Sequence, residues 1–345
     1  MNLYEKELQT IANLPLPWEK LENKTILISG ATGMIGKCII DLFMLKNRIS
    51  DSHIHVVALS RNEERARERF GAYWELPEFK YFSCDINKGI PECGKADYII
   101  HAASNTHPKQ YSEDPVGTIA SNIIGTKFLL DYAVEHQTSQ FCFLSSVEVY
   151  GENRGDVEKF DENYLGYLDC NTLRAGYPES KRVGETLCNA YGEAYGLPYV
   201  IPRLSRLYGP TMLLSDSKAL SQFIKKAAAG EDIVLKSEGN QKYSYTFVTD
   251  AVSAVLYIML FGKNGEAYNV ADKESDIELK ELAAILARAS GKQVVFELPE
   301  EKERKGYSTA TRAMLDAGKL ETLGWMAGVH LPEGLSCTVE AVKAM

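Results

Sequence analysis

The alternation of short apolar runs with helical stretches, over the first two-thirds of the chain, constrains the fold more than any other feature. Strands are predicted at 24–29, 55–59, 80–84, 97–101, 141–144 and 198–203, and helices at 34–46, 61–70, 114–136 and 177–195. Elements in this order form βαβ units, whose parallel strands share one sheet that helices cover on both faces. We therefore expect an α/β protein built on a doubly wound parallel sheet.

Length and the later part of the sequence predict a second, smaller domain. The 345 residues exceed one average domain, and beyond about residue 205 the pattern loosens into short helices, hairpins and loops. A strand at 245–248 followed by a helix at 250–261 resembles one more unit of the main sheet. We therefore predict a main domain of residues 1–203 plus about 243–262, and a mixed α/β substrate-binding domain of about 204–242 plus 263–345.

Charge and hydropathy narrow the classes of partner. The 38 basic and 47 acidic residues give a net charge of −9, which opposes binding to nucleic acid or to an anionic membrane. No segment approaches the run of about 18 apolar residues that spans a bilayer, and the N-terminal stretch has charges and prolines where a signal peptide is apolar. The seven cysteines include no CxxC pair and no zinc-ligand spacing. These features predict a cytoplasmic protein without a structural metal.

A glycine-rich loop, SGATGMIG, joins the first predicted strand to the first predicted helix. Glycines at this spacing let the backbone turn tightly and approach a pyrophosphate, which rests on the N-terminus of the helix. The alternative is a turn in which glycine serves close packing alone. Its position directly after the first strand favours a Rossmann dinucleotide site. The predicted cofactor contacts in the loop are Gly30, Thr32, Gly33, Met34, Ile35 and Gly36.

The residues that end the second predicted strand leave the form of the dinucleotide open. An acidic residue normally binds the adenosine ribose of NAD there, whereas this chain has Leu59-Ser60-Arg61-Asn62. The Ser60 hydroxyl and the Arg61 guanidinium suit the 2′-phosphate of NADP, and Arg61 equally suits the start of a charged helix. The predicted cofactor is NAD, with NADP as the alternative. Further contacts are predicted after the third and fourth strands, at Asp85, Ile86, Ala102, Ala103 and Ser104.

A tyrosine and a lysine four residues apart, Tyr177 and Lys181, lie on one face of a predicted helix. A phenol with its usual pKa of about 10 is a weak base at neutral pH. A neighbouring ammonium and a cationic nicotinamide ring favour the phenolate, so we expect them to lower the pKa of Tyr177. The preceding strand ends in Ser145 and Ser146, where a hydroxyl can hold the oxygen whose proton Tyr177 takes.

The order of these motifs resembles that of the extended short-chain dehydrogenases/reductases, in particular the NAD-dependent nucleotide-sugar epimerases, dehydratases and decarboxylases. The glycine loop is followed by HAAS at 101–104, NIIGT at 122–126, SSVEVYG at 145–151, YPESK at 177–181 and RLSRLYGP at 203–210. The resemblance covers residues 24 to about 275. It implies that Ser146 is the catalytic Ser/Thr, Tyr177 the base and Lys181 its partner, and that Asn122 supports the cofactor site and its hydrogen bonds.

The same resemblance implies a nucleoside-diphosphate sugar as substrate and a homodimer as the assembly. In relatives, the helices that correspond to 114–136 and 177–195 form a four-helix dimer interface. Both helices have apolar stripes here, which packing within one subunit would equally explain. The stretches 101–118 and 174–188 are most similar to UDP-glucuronate decarboxylases, and Arg174 is a predicted substrate contact.

Glu148 is an acidic residue placed directly after a strand of the sheet. Enzymes of this group first oxidise C4 of the sugar to a ketone, which acidifies the C5–H bond and turns a C5 carboxylate into a β-keto acid. A carboxylate at this position can remove the C5 proton and drive loss of water, or assist decarboxylation. Sugar-nucleotide 4,6-dehydratases and UDP-glucuronate decarboxylases have a Glu that Glu148 matches, whereas a solvated loop glutamate is the plain alternative. We interpret Glu148 as catalytic.

The chain departs from the pattern of these relatives at three positions. Val147 stands where dehydratases have an Asp and decarboxylases a Ser. Tyr243 stands where most relatives have an arginine that grips the diphosphate or the sugar carboxylate, so Lys242 would have to replace it. Arg206 stands where many have Asn, and it also offers the missing charge. Arg203 fits a structural role and a phosphate contact equally well.

The sequence therefore predicts a redox-neutral enzyme that acts on a nucleoside-diphosphate sugar, as a decarboxylase or 4,6-dehydratase that uses Glu148. A nucleotide-sugar epimerase is the first alternative. A keto-sugar reductase and a dinucleotide-binding protein without catalysis are further ones, the latter disfavoured because Ser146, Tyr177 and Lys181 are all present.

Overall fold

The main sheet of the protein is parallel, as predicted. A computed structural model describes residues 1–106, 113–297 and 311–345. Within these ranges the main sheet has the strand order β11-β7-β5-β4-β1-β2-β3, and β6 pairs with β7. Its strands are β1 Thr25–Ser29, β2 His55–Ser60, β3 Phe79–Ser83, β4 Tyr98–His101, β5 Gln140–Phe143, β6 Ser145–Ser146, β7 Tyr199–Leu204 and β11 Ala267–Val270.

Helices connect these strands and cover both faces of the sheet. They are α1 Leu3–Ala12, α2 Met34–Ser50, α3 Glu63–Phe70, α4 Pro115–Glu135, α5 Gly176–Tyr195, α6 Ala219–Ala229, α7 Val248–Phe261, α8 Leu279–Ser290, α9 Gly318–Glu321 and α10 Leu331–Lys343. One apolar core contains buried residues of α1, α2 and α7, and another, on α4 and α5, contains Leu129, Phe143 and Cys188. The prediction of a doubly wound α/β fold is confirmed.

Two smaller sheets lie outside the main one. The first has the order β12-β10-β14, with β8 also paired to β10, and the second pairs β9 with β13. Their strands are β8 Arg206–Tyr208, β9 Ile233–Leu235, β10 Lys242–Phe247, β12 Asp276–Glu278, β13 Val294–Phe296 and β14 Arg312–Ala313. These strands share a separate apolar core with α6, α8 and α10.

The prediction of one more strand and helix for the main sheet is confirmed for the helix and wrong for the strand. The strand predicted at 245–248 is β10, which pairs with β8, β12 and β14 rather than with the main sheet. The helix that follows, α7, packs on the main core as expected, and the strand that extends the main sheet is β11, paired with β7. β10 precedes α7 and pairs with β8, whereas β11 follows α7 and pairs with β7. The strand that joins the main sheet therefore comes after the helix and not before it. The division into two domains, with the bounds given above, stays a prediction.

The first helix, α1, was missed in the sequence. Its N-terminus has a complete capping box, in which the Asn2 side chain accepts the Glu5 N–H and the Glu5 carboxylate accepts the Asn2 N–H. Its buried residues Leu8, Ile11 and Ala12 belong to the core shared with α2 and α7. Asn followed three residues later by Glu is a recognised helix start, and that signal could have revealed the helix.

Candidate active site

A cleft of about 1010 Å³ lies between the carboxyl ends of the main-sheet strands and the smaller sheets. Ligands of open α/β proteins bind at this edge of the sheet. The four predicted catalytic side chains all line it: Ser146, Glu148, Tyr177 and Lys181. The cleft therefore brings together residues from β6, the turn after it and the start of α5.

The glycine loop forms the floor of the cleft at the N-terminus of α2. Gly30 has a φ of +70°, and a Cβ added to it would lie 2.6 Å from the Ala103 nitrogen. A Cβ on Gly36 would lie 2.6 Å from the Gly30 carbonyl oxygen. The cradle is open because these side chains are absent, which fits the close approach of a dinucleotide pyrophosphate to backbone N–H groups. Gly33, Met34 and Ile35 also line the cleft.

A second cavity of about 240 Å³ adjoins the loop at the ends of β2 and β3. It is the place where the fold puts the adenosine half of a dinucleotide. Its lining includes every predicted contact of that half: Thr32, Ser60, Arg61, Asp85, Ile86, Ala102, Ala103 and Ser104. Arg65, which was not predicted, also lines it, one turn further along the chain from Arg61.

Tyr177 is almost fully buried, at 6% exposure, and its hydroxyl is hydrogen-bonded to Ser146 and Ser104. Burial raises the pKa of Tyr177 above its usual value, and the charge of Glu148 raises it further, whereas the two serine hydroxyls lower it. The expectation that the surroundings lower this pKa is therefore wrong for the protein side chains alone. The reason is that burial disfavours the charged phenolate more than the two hydrogen bonds favour it.

Lys181 lies one turn after Tyr177 and is 3% exposed. Its ammonium donates to the Leu144 carbonyl at 2.8 Å and lies 4.7 Å from the centre of the Phe143 ring. Burial lowers the pKa of Lys181 to about 8, although the charge of Glu185 opposes this effect. A side chain with this pKa is mostly protonated at neutral pH, so Lys181 remains a positive charge beside the site.

Asn122 lies behind the cleft rather than in its wall. It is fully buried, accepts the Ser104 hydroxyl at 2.7 Å and donates to the Ser180 hydroxyl at 2.9 Å. Ser180 in turn donates to the Tyr177 carbonyl at 2.8 Å. Asn122 therefore links α4 to the Tyr177 hydroxyl through Ser104 and to the Tyr177 carbonyl through Ser180. Asn122 does not line either cavity, whereas Ser104, to which it is hydrogen-bonded, lines both.

Glu148 lies between two arginines of the cleft wall. Its Oε1 is 3.3 Å from Arg206 Nη2, and its Oε2 is 3.7 Å from Arg174 Nη2. All three side chains are between a fifth and a third exposed. Arg206 Nη1 is buried and has no hydrogen-bond partner among the described residues. The group has one negative and two positive charges, so it can receive a further anion.

The strand β10 presents Tyr243 to the cleft and turns Lys242 away from it. Gln241, Tyr243 and Tyr245 line the cleft, as expected for alternate residues of a strand. Lys242 is not among the residues that line the cleft, so its expected contact with the substrate stays a prediction. Arg206 is the charge that stands beside Tyr243.

Arg203 has a structural role, which the sequence left open. Its guanidinium forms a bidentate pair with Glu185, at 3.0 and 2.7 Å, and donates to the Tyr150 hydroxyl at 2.9 Å. Glu185 also accepts the Ser145 hydroxyl at 2.5 Å. These bonds tie β7 to α5 and to the turn after β6, and they use the donors that a phosphate would need.

Several cleft residues from the second half of the chain were missed in the sequence. They are Gln241 directly before β10, Tyr245 of β10, Lys218 before α6, Gln222 and Lys226 of α6, and Lys236 after β9. The period-two pattern around Tyr243 could have revealed the first two. Nothing in the sequence pattern marks the lysines, because they come together through the packing of α6 against the smaller sheets.

Among residues 1–106, 113–297 and 311–345, no helix is long and apolar enough to cross a membrane. The same ranges contain no group of three or more His, Cys, Asp and Glu side chains placed to hold a metal ion.

A parallel sheet with a glycine-rich dinucleotide loop, and a Ser-Tyr-Lys group in the adjoining cleft, is the arrangement of a dinucleotide-dependent enzyme. The sequence profile of the NAD dependent epimerase/dehydratase family matches residues 26–271. The chain belongs to this family of NAD-dependent enzymes.

Curated relatives are similar to this chain in sequence, and solved structures share its fold. The chain is 28% identical to UDP-glucuronic acid decarboxylase 1 of Danio rerio over 92% of this chain and 72% of the relative. It is 29% identical to UDP-glucuronic acid decarboxylase 5 of Arabidopsis thaliana over 91% and 87%. Among solved structures, UDP-glucose 4-epimerase from Thermotoga maritima matches with a TM-score of 0.80 at 22% identity, covering 93% of this chain and 99% of that one. A dTDP-glucose 4,6-dehydratase from Streptomyces venezuelae matches with a TM-score of 0.79 at 24% identity, covering 93% and 97%.

Proposed function

We propose that the protein converts a nucleoside-diphosphate sugar through a 4-keto intermediate, without net oxidation, and that it is a lyase. The observation that carries this proposal is the position of Glu148, in the same cleft as Ser146 and Tyr177 and between two arginines. Relatives named as UDP-glucuronic acid decarboxylases support the substrate class. The glycine loop at Gly30, Gly33 and Gly36 would hold a bound NAD, which would supply a reversible acceptor for the hydride of C4.

Ser146 and Tyr177 have the geometry to handle the proton of the sugar C4 hydroxyl. The Ser146 hydroxyl bonds to the phenol in the protein and can hold the sugar oxygen in the same place. Tyr177 then takes the hydroxyl proton as hydride leaves C4. Lys181, cationic at neutral pH, stabilises the phenolate that this role requires. Tyr177 and Lys181 are buried, which limits the access of water to the proton transfer.

Glu148 is placed to act after the ketone has formed. With C4 oxidised, the carboxylate can remove the C5 proton, which leads to loss of water, or assist the loss of a C5 carboxylate as carbon dioxide. Arg174 and Arg206 hold the carboxylate in the cleft and neutralise the negative charge that develops on the sugar. Val147, which is buried, offers neither the acid that dehydratases have at this position nor the hydroxyl that decarboxylases have there, so Glu148 is the residue of this turn that can serve either reaction.

A nucleotide-sugar epimerase is the second candidate, and one observation favours it. Both oxygens of Glu148 are already engaged by guanidinium groups, which suits an anchor of the cleft wall as well as a base. An epimerase needs only Ser146, Tyr177 and Lys181 for the two hydride transfers. Between them the keto sugar rotates in the cleft and presents its other face to the cofactor.

The masses of the products separate these reactions. The purified protein is incubated with UDP-, dTDP-, GDP- and CDP-sugars, both neutral and uronic, and the products are followed by mass spectrometry. We expect loss of carbon dioxide or of water without added reductant. An unchanged mass with a new isomer would establish the epimerase instead, and stoichiometric consumption of a dinucleotide would establish a reductase.

A further inference from the structure

The adenosine cavity contains two arginines and lacks a carboxylate at the end of β2. Its ionisable lining side chains in the described ranges, thiols apart, are Arg61, Arg65 and Asp85. An acidic residue at the end of β2 would accept hydrogen bonds from the 2′-hydroxyl of NAD and repel a phosphate there. The residue at that place is Ser60, whose hydroxyl is 3.2 Å from the Tyr81 hydroxyl.

Asp85 is not placed to take over that role. It follows β3, one strand further out in the sheet than Ser60, and strands are spaced about 4.8 Å apart. Its Oδ1 accepts the Asn87 N–H at 3.2 Å, and its Oδ2 lies 3.9 Å from Lys88 Nζ. The carboxylate is thus held at the outer end of the cavity, where the adenine base lies in this fold.

Residues 61–69 contain four arginines, of which two bind other protein groups and two line the cavity. Arg67 is committed to Glu63, at 3.0 and 2.8 Å, and lies 4.3 Å from the centre of the Trp74 ring. Arg69 donates to the Thr211 carbonyl at 2.8 Å. Neither Arg61 nor Arg65 makes a side-chain hydrogen bond or ion pair with the residues that the structure describes, and both are exposed at the cavity. Of the four arginines between residues 61 and 69, the two without a partner among the described residues are the two that line the cavity.

We propose that this cavity binds the 2′-phosphate of NADP through Arg61, Arg65 and the Ser60 hydroxyl, so that the protein accepts NADP as well as NAD. Two guanidinium groups offer the paired N–H donors that a phosphate oxygen prefers. They also leave the cavity with a net positive charge, because Asp85 is the single carboxylate among its described lining residues. The open glycine loop fits the pyrophosphate of either dinucleotide. The proposal concerns the cofactor alone and adds to the proposed function without depending on the sugar.

Binding measurements with dinucleotide fragments test this assignment directly. Protein stripped of bound cofactor is titrated by calorimetry with 2′,5′-ADP and with ordinary ADP, and then with NADP and NAD. We expect 2′,5′-ADP to bind at least about tenfold more tightly than ADP, which is the usual effect of one charge-assisted hydrogen bond. NADP should bind at least as tightly as NAD. Tighter binding of NAD and of ADP would overturn the proposal.

Matched variants identify the residues responsible. Arg61→Ala and Arg65→Ala should each lower the affinity for 2′,5′-ADP and for NADP by about tenfold. The affinity for ADP and for NAD should change by less than about threefold. Arg67→Ala removes an arginine that is already paired with Glu63, and it should leave the ratio of the NADP affinity to the NAD affinity unchanged. An equal loss of affinity for NAD and NADP in the Arg61 and Arg65 variants would refute a contact with the 2′-phosphate. Unaltered NAD binding shows that a variant is folded, and no sugar enters the assay, so its outcome is separate from that of the lyase proposal.

Discussion

The guanidinium carbon of Arg206 lies 3.5 Å from the centre of the Tyr243 ring. The two residues belong to neighbouring parallel strands, β8 and β10, where Arg206 is in register with Tyr245. Stacking fixes the plane of the guanidinium, so Arg206 Nη2 faces Glu148 while Nη1 remains buried without a partner among the described residues. A tyrosine on β10 thus positions an arginine that comes from β8.

Arg206→Ala should weaken substrate binding more than it slows the chemical step. Loss of a charge-assisted hydrogen bond raises KM by about tenfold or more, and kcat should change less. The matched control is Arg154→Ala, because Arg154 stacks on Tyr167 at the same 3.5 Å but does not line the cleft. Steady-state kinetics on the identified nucleotide sugar measure both constants. A normal KM in the Arg206 variant would show that this guanidinium does not contact the substrate.

Tyr177→Phe should abolish turnover and leave the fold and cofactor binding intact. Only the phenolic oxygen is removed, and loss of a general base commonly lowers the rate by about 10² to 10⁴-fold. The cavity walls keep their shape because the ring remains. Product formation and cofactor affinity are measured on the same preparation. Near-native turnover in this variant would contradict the assignment of Tyr177 as the base.

The sequence predicted the features that depend on local pattern. The glycine loop, the strand-end positions of Ser104 and Ser146, and the one-turn spacing of Tyr177 and Lys181 all lie where β–α alternation puts them. Such features follow from the period of side chains along one element.

The features that depend on packing between distant elements could not be read in the same way. The face of β10 that meets the cleft is set by its pairing with β8 and β12, so the sequence alone does not show that Tyr243 lines the cleft and Lys242 does not. The raised pKa of Tyr177 results from burial, and burial is a property of the whole site. The structural role of Arg203 on β7 depends on its ion pair with Glu185 of α5, and the sequence does not show that these two residues meet.

Asp250 should make the stability of the protein depend on pH between about 4 and 6. Burial raises the pKa of Asp250 to about 6, although the N–H groups of Gly328 and Val329 hydrogen-bond to its carboxylate and oppose this shift. The folded protein therefore holds a proton here that the unfolded chain, with a carboxyl pKa of about 3.9, has already lost.

The contribution of Asp250 to stability is therefore present below pH 4 and is lost as pH rises through 6. A difference of about two pKa units corresponds to roughly 2–3 kcal/mol. Urea unfolding of the protein and of Asp250→Asn at several pH values measures this effect. The difference in unfolding free energy between the two should shrink from pH 4 to pH 6.5. A difference that stays constant over this range would show that Asp250 does not titrate there.

We expect a homodimer formed through α4 and α5. These helices pack against each other and still expose large apolar side chains, with Val116, Ile124 and Val183 at 76%, 45% and 38%. Ile124→Glu should give a species of 38.4 kDa in sedimentation at micromolar concentration. Ile49→Glu on α2 is the matched control, since Ile49 is 44% exposed on another face. A monomer in the unaltered protein would refute the dimer.

Glu148→Gln separates a lyase from an epimerase. The amide keeps the shape of the carboxylate but cannot remove a proton, whereas Ser146, Tyr177 and Lys181 are untouched. If Glu148 is the base, C4 oxidation should still occur, and the later step should slow by roughly 10²-fold or more. Reduced cofactor and a 4-keto sugar should then accumulate, which near-ultraviolet absorbance and mass spectrometry detect. An epimerase would return the hydride without Glu148, so normal turnover with no reduced cofactor would make Glu148 an anchor for Arg174 and Arg206.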